Sequence, residues 1–162
     1  MKRLIPLLLA VFLLAGCAQT MDAGRFYYAR YEDSYVYGQE NAVIAPEYRD
    51  VTGHDGDLEY LLTLYFHGPT MESLRSPFPS GISLRSVSRS GSTLFIELSS
   101  SLTLLNGTDL TLACACLAQT CFALSDAEAV TISSQGLGFV SVTLTRDSFM
   151  LVDDTPIPST TD

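Results

Sequence analysis

Tryptophan is absent from this sequence, and charged residues are scarce. Only 17% of the 162 residues are charged, against about a quarter in ordinary soluble domains. Lys and Arg number 9 against 18 Asp and Glu, which gives a net charge of −9. Nucleic acid and anionic lipid headgroups are therefore excluded as main partners, because binding to either depends on basic residues. The length allows one domain of ordinary size, and 47% hydrophobic residues exclude a disordered chain.

Cysteine is too rare and too clustered for a disulfide framework. Beyond Cys17, the sequence holds Cys114, Cys116 and Cys121, an odd number crowded into one short stretch. Their spacing matches no common zinc pattern, and no histidine lies nearby to complete a set of four ligands. We interpret all three as small, buried, unbridged residues of a helix, and we predict no metal site and no cofactor.

The N-terminus has the features of a signal peptide. Lys2 and Arg3 precede an apolar run of about a dozen residues, which is short for a spanning helix of roughly 20. The run ends in Leu-Ala-Gly-Cys, which looks like the lipobox of bacterial lipoproteins, with Cys17 as the lipidated residue. An ordinary secretory signal that happens to contain a cysteine is the alternative. No later stretch is judged long and apolar enough to span a bilayer.

These features predict a lipid-anchored protein on the extracytoplasmic face of the cell membrane. Residues 1–16 form the signal peptide, and residues 17–24 form a lipidated tether. The attachment of two or three acyl chains to Cys17 would give a stable anchor, whereas one chain binds only marginally. Residues 25–153 are predicted to form one domain, and residues 154–162, which have few apolar side chains, a frayed tail.

Hydrophobic spacing predicts a first helix after the turn-forming residues 52–56. Asp57 can cap this helix, its apolar residues recur every three or four positions over 58–66, and Gly68 followed by Pro69 ends it. Residues 76–81, with two prolines and a glycine, are incompatible with a helix or a central strand and predict a rigid connection.

A second helix is predicted up to Leu124, after an Asn106-Gly107 turn and with Thr108 or Asp109 as its cap. Alternation of apolar and polar residues predicts strands at 26–31, 42–48, 82–87, 93–99, 129–133 and 140–144. Pro46 suits an edge strand. The order predicts an α+β fold, a two-layer sandwich with two helices packed on one face of a small mixed sheet.

The sequence resembles the GerMN-domain family, which is named for spore-germination and sporulation proteins. The resemblance is carried by the segments Glu47-Tyr48-Arg49, 61–69, Leu74, 76–81, 84–87, 91–99, 109–113 and 130–132, in that order. It implies a lipid-anchored or secreted envelope protein, a fold similar to the ring-building modules of envelope complexes, and no enzymatic activity. One such module is present, whereas some members of the family carry two.

The sequence contains no recognisable catalytic constellation, so no catalytic residue is predicted. Glu47 and Arg49 lie two apart on one face of a strand. They can pair with each other or with a cross-strand partner, and such a pair is worth up to about 1 kcal/mol if exposed. His54 lies in a turn with Asp50, Asp55 and Asp57, but their spacing does not match an EF-hand loop. His67 is expected at the end of the first helix, where it suits the helix dipole.

Three functions follow as hypotheses. The first is a non-enzymatic scaffold or assembly module of the bacterial cell envelope, whose partners are envelope or sporulation proteins. The second is a lipoprotein that binds the cell wall or a small ligand, with peptidoglycan as a candidate partner, through the aromatic cluster Tyr27, Tyr28, Tyr31, Tyr35 and Tyr37. The third, an envelope hydrolase, has no recognisable residues. Buried tyrosine rings would favour the first hypothesis, and a row of exposed rings the second.

Overall fold

The computed structural model describes residues 22–31, 43–135 and 140–149. Within these residues, seven strands and two α-helices follow one another along the chain. Their bounds are β1 (Ala23–Arg30), β2 (Ile44–Asp50), α1 (Leu58–Phe66), β3 (Leu74–Arg75), β4 (Leu84–Ser90), β5 (Thr93–Leu98), α2 (Gly107–Leu124), β6 (Ala129–Ser134) and β7 (Ser141–Thr145). Short 3-10 helices lie at Ser100–Leu104 and Arg146–Phe149.

The strands form two sheets rather than the single sheet expected from the sequence. A three-stranded antiparallel sheet has the order β2-β1-β3, and a four-stranded sheet has the order β4-β5-β6-β7. In the second sheet β5 and β6 are parallel, and α2 lies in the crossover that parallel pairing requires. The α+β class and the two helices are confirmed.

One apolar core joins the helices to both sheets. Leu94, Ile96 and Leu98 of β5 are buried, and Phe95, which points to the opposite face, is 42% exposed. The same alternation continues in β6, where Val130 and Ile132 are buried. The four-stranded sheet is therefore covered on one face, as the alternating pattern predicts.

Helix α1 has the start and the end that the sequence predicts. The Asp57 carboxylate accepts a hydrogen bond from the Tyr60 N–H at 3.1 Å, which caps the first turn. Leu61, Leu62 and Tyr65 face the core. Gly68 has a φ of +90°, a left-handed conformation that glycine adopts easily, and the helix ends just before it.

Helix α2 is the central helix of the core, and it packs against β1, β6 and β7. Its 18 residues have a mean hydropathy of 1.3, so by length and composition it is apolar enough to cross a membrane. The expectation that no stretch after the signal peptide is long and apolar enough for this was therefore wrong. Cysteine and alanine residues raise this value. Eight of its side chains are buried against the rest of the domain, as expected for a core helix.

The structure corrects three local predictions. Asn106, not Thr108 or Asp109, occupies the N-cap position of α2, and its side chain makes no capping hydrogen bond. Strand β3, which pairs with Ala29 and Arg30 of β1, was missed because two residues are too short to show a periodic pattern. Strand β1 begins at Ala23, inside the segment expected to be a tether.

Gly24, the last residue of the segment predicted to be a tether, lies at a close contact between elements. A Cβ atom added there would lie 2.6 Å from Val51 Cγ1 and 3.3 Å from Leu124 Cδ2. The glycine is needed for close packing between β1, the end of β2 and α2, and not for flexibility. The signal peptide and tail predictions lie outside the described residues.

Candidate functional site

The motif residue Glu47 lies on the edge strand β2 with its side chain buried, only 2% exposed. Its Oε2 atom accepts hydrogen bonds from the backbone N–H groups of Thr70 and Met71, at 2.8 and 3.0 Å. Its Oε1 atom accepts from Arg49 Nε at 2.5 Å and from the Thr70 hydroxyl at 3.2 Å. The carboxylate therefore fixes the loop that follows α1 to strand β2.

Arg49 binds the end of helix α1 from the same strand. Its Nη1 donates to the Leu64 carbonyl at 3.2 Å, and its Nη2 donates to the Gly68 carbonyl at 2.6 Å. Carbonyls at a helix C-terminus carry partial negative charge, so a guanidinium is well suited to them, and the Leu64 carbonyl accepts it in addition to the His67 N–H. The guanidinium also lies 5.2 Å from the ring centre of Phe26 and 5.4 Å from that of Tyr28.

Two tyrosines extend this network into the core. The Tyr28 hydroxyl accepts from Arg49 Nη2 at 3.1 Å and donates to the Tyr65 carbonyl at 2.9 Å. The Tyr65 hydroxyl donates to the Tyr27 carbonyl at 3.1 Å, and the rings of Tyr28 and Tyr65 stack at 4.8 Å. Burial raises the pKa of both phenols, so both stay protonated and act as donors.

The protonation state of Glu47 follows from two opposed effects. Burial by itself would raise its pKa, but hydrogen bonds from Met71, Arg49 and Thr70 stabilise the charged form more strongly. The net effect is a pKa below the usual value, so the carboxylate stays ionised near neutral pH. A general acid or base working at neutral pH needs the opposite shift. Glu47, Arg49, Tyr28 and Tyr65, here called the β2–α1 network, are arranged to hold the fold.

Of the two pairings that the sequence left open, the structure has the ion pair between Glu47 and Arg49, but its setting was not predicted. Two residues two apart in a strand point to the same side, and the sequence does not say that this side faces the end of a helix. The Gly68-Pro69 helix stop could have indicated that a donor side chain lies nearby, because the carbonyls at a helix end need donors. Nothing in the sequence linked that stop to Arg49.

In the acidic turn around His54, the carboxylate of Asp50 is bonded to its own turn. The Asp50 carboxylate accepts from the Thr52 hydroxyl and backbone N–H, at 2.6 and 2.9 Å, which lowers its pKa. The His54 ring stacks on Tyr60 at 3.6 Å. Among the described residues, no group of three or more His, Cys, Asp or Glu side chains is placed to hold a metal ion.

The cysteines of α2 are free and buried, as expected. Burial raises the pKa of Cys114 to about 11 and that of Cys121 to about 12, so both are protonated thiols at neutral pH. Thiols of this kind are poor nucleophiles and poor metal ligands. Their role in the domain is to pack.

The tyrosine-rich segment is only partly described. Tyr28 is fully buried, Tyr27 is half-buried, and Tyr31 is 46% exposed. Tyr35 and Tyr37 lie outside the described residues, as does Cys17. The buried Tyr28 supports a role in packing for at least part of the segment.

Thr120 of α2 is a further structural residue that the sequence analysis did not identify. Its hydroxyl accepts the backbone N–H of Tyr27 at 2.9 Å and donates to the Cys116 carbonyl at 2.9 Å. A backbone N–H of strand β1 is thereby paired with a side chain of α2. A lone threonine on a helix carries no sequence signal for such a contact.

Comparisons with known proteins place the chain among sporulation-related domains. Residues 25–137 match the family model Germane, described as "Sporulation and spore germination". A solved structure that the chain resembles is that of the tandem GerMN domains of the sporulation protein GerM from Bacillus subtilis, with 17% identity and a TM-score of 0.48. The match covers 75% of this chain and 42% of that one, so the chain spans less than half of its length. A search of curated proteins gave no match.

Proposed function

The chain belongs to the Germane family of sporulation and spore germination domains, and from this premise we propose that it is a lipid-anchored, non-enzymatic assembly module of the cell envelope. In this proposal Cys17 carries the lipid, the domain lies on the extracytoplasmic face of the membrane, and its partners are other envelope or sporulation proteins. Its work is to make contacts rather than to turn over a substrate.

The observation that carries the proposal is that the two charged motif residues are bonded within the domain itself. Glu47 and Arg49, the Glu-x-Arg of the family resemblance, are bonded to backbone groups around the end of α1. The network leaves neither residue poised as an acid, a base or a nucleophile at neutral pH. Their role is to stabilise the fold, and this is consistent with a domain that works by binding other proteins.

The outer face of the four-stranded sheet is the contact surface that we assign to a protein partner. Phe95 is 42% exposed on this face, and its cross-strand neighbours in the pairing register are Ser88 on β4 and Thr131 on β6. Aromatic residues are enriched at protein interfaces, so we assign the exposed Phe95 ring as the apolar centre of this contact. Glu97 is the charged residue that β5 adds to this face.

The membrane part of the proposal is tested by removing the lipid acceptor. Cys17→Ala should shift the protein from the membrane fraction to the medium, or leave it as an unprocessed precursor. Unchanged partitioning of the variant into the detergent phase would contradict lipidation at Cys17.

The assembly part is tested by complementation of a deletion in the native host with surface variants. We expect Phe95→Ser to lose function at normal protein abundance, whereas Leu104→Ser, at a residue 71% exposed on a 3-10 helix, should retain it. Full function of Phe95→Ser would contradict the assigned surface.

Binding of the cell wall is the second candidate function, and the exposed ring of Tyr31 is the observation in its favour. Sedimentation with purified peptidoglycan tests it. Wall binding that is lost in Tyr31→Ala would favour this function over assembly.

A further inference from the structure

A cleft between strand β1, the C-terminal half of α2 and the end of β7 collects basic residues in an acidic protein. It has a volume of about 380 Å³ and is lined by Arg25, Tyr27, Gln119, Phe122, Ala123 and Arg146. Two of the nine Lys and Arg residues of the chain thus meet in one place. The family match ends at residue 137, so Arg146, which forms one side of the cleft, lies outside the matched residues.

Arg146 is held in place by the end of helix α2. Its Nε donates to the Ala127 carbonyl at 2.8 Å, and its Nη2 donates to the carbonyls of Phe122 and Ser125, at 3.1 and 3.0 Å. The guanidinium also lies 5.0 Å from the centre of the Phe122 ring. The N–H groups of Nη1 have no hydrogen bond to any residue in the described ranges. A rigid guanidinium with a free edge is already organised to bind an anion.

Arg25 supplies the second positive charge. Its Nη1 donates to the Tyr27 hydroxyl at 3.3 Å, and its guanidinium lies 5.9 Å from the centre of the Tyr48 ring. The hydroxyl bond raises the pKa of Arg25. Arg25 forms no ion pair with a carboxylate of the described residues, unlike Arg49 and Arg89.

Nearby negative groups offset only part of this charge. The helix C-terminus partly neutralises Arg146, which leaves Arg25 as the less compensated cation. Asp126 is close enough for Arg146 to lower its pKa, but its carboxylate is paired with Arg89. Gln119 and Tyr27 add neutral polar groups, while Ala123 adds a small apolar surface.

We propose that this cleft binds a small ligand through a carboxylate or phosphate group, with a small apolar part of the ligand against Ala123. Guanidinium groups recognise both oxyanions by paired, charge-assisted hydrogen bonds. The volume is at the lower end of the range for small-molecule sites, so it suits a small molecule or the end of a chain. The site is independent of the proposed contact surface around Phe95.

The test is calorimetric titration of the full-length protein, purified in a neutral detergent at low ionic strength. The probes are inorganic phosphate and N-acetylalanine, with N-acetylalanine amide as the neutral control. Binding of either anion, and not of the amide, is expected, and the anion that binds more tightly shows which of the two groups the cleft prefers. Affinity should fall as salt is added.

Arg25→Gln is the decisive variant, because Arg25 is exposed and, within the described ranges, its guanidinium contacts another element only at the exposed Tyr48 ring. It should weaken anion binding at least tenfold, whereas Arg85→Gln, which removes the same charge from β4, should leave it unchanged. Equal binding of the amide, equal binding by Arg25→Gln, or no binding of either anion by the wild-type protein would overturn the proposal. A failure of these titrations leaves the assembly proposal untouched, since that proposal depends on Phe95 and Cys17.

Discussion

The two sheets of this domain both bury apolar side chains, but the three-stranded sheet adds a buried charge. Ile96 and Ile132 are buried in the four-stranded sheet and Phe26 in the three-stranded sheet, which also buries Glu47 and binds the end of α1 through Arg49. Apolar packing tolerates small displacements, but a buried charge is costly as soon as one partner is lost. The β2–α1 network therefore makes the three-stranded sheet the more specific and the more easily damaged half.

The largest effect is expected from Arg49→Ala. This change leaves Glu47 buried without its cation and removes the donors to Leu64 and Gly68, so we expect a loss of about 3–5 kcal/mol in the free energy of unfolding. Chemical denaturation of the full-length protein in neutral detergent measures it. Arg89→Ala, at an exposed ion pair, is the matched control and should change little. An equal loss of unfolding free energy in the two variants would contradict the claim that the three-stranded sheet depends on a buried charge.

In the four-stranded sheet, Ile96→Ala should cost about 2–5 kcal/mol, because Ile96 is fully buried in the centre of the sheet. Hydrogen exchange sharpens the comparison. Arg49→Ala should lower protection mainly in β2 and at the end of α1, while Ile96→Ala should lower it throughout the core. The same exchange pattern in both variants would mean that the two halves are not separable.

Thr120→Val tests the contact between α2 and the three-stranded sheet. The shape of the side chain is kept, but the Tyr27 N–H loses its acceptor, which should cost about 1–3 kcal/mol. Thr111→Val is the control, because Thr111 lies on the same helix and is exposed. A Thr120→Val protein as stable as the wild type would show that the hydroxyl is dispensable.

The smallest effect is the dependence of stability on pH. The pKa of Glu47 is lower in the folded protein than the usual 4.5, so the unfolded chain binds more protons in acid. The stability that Glu47 contributes is complete well above pH 4.5 and is lost as the pH falls through the folded pKa. The difference in stability between the wild type and Glu47→Gln should shrink below pH 4.5. Asp50 and Asp126 titrate alike in both proteins and cancel in the difference.

The same contrast explains which features could be predicted. Alternation identified β5 and β6, and helical spacing with Asp57 and the Gly68 stop identified α1, because one-sided burial leaves a periodic pattern in the sequence. The division into two sheets left no such pattern, since it depends on which strands pair across the chain. The setting of Glu47 and Arg49 and the role of Gly24 were hidden for the same reason. Each depends on contacts with residues far away in the sequence.

The central claim is that the charges of the β2–α1 network serve the fold and not a reaction. It is tested most directly by complementation with Glu47→Gln, beside its melting temperature in full-length protein. The account predicts a lower melting temperature but full function at a growth temperature at which the variant is folded and reaches wild-type abundance. A folded, abundant Glu47→Gln protein that fails to complement would show that the carboxylate takes part in the function itself.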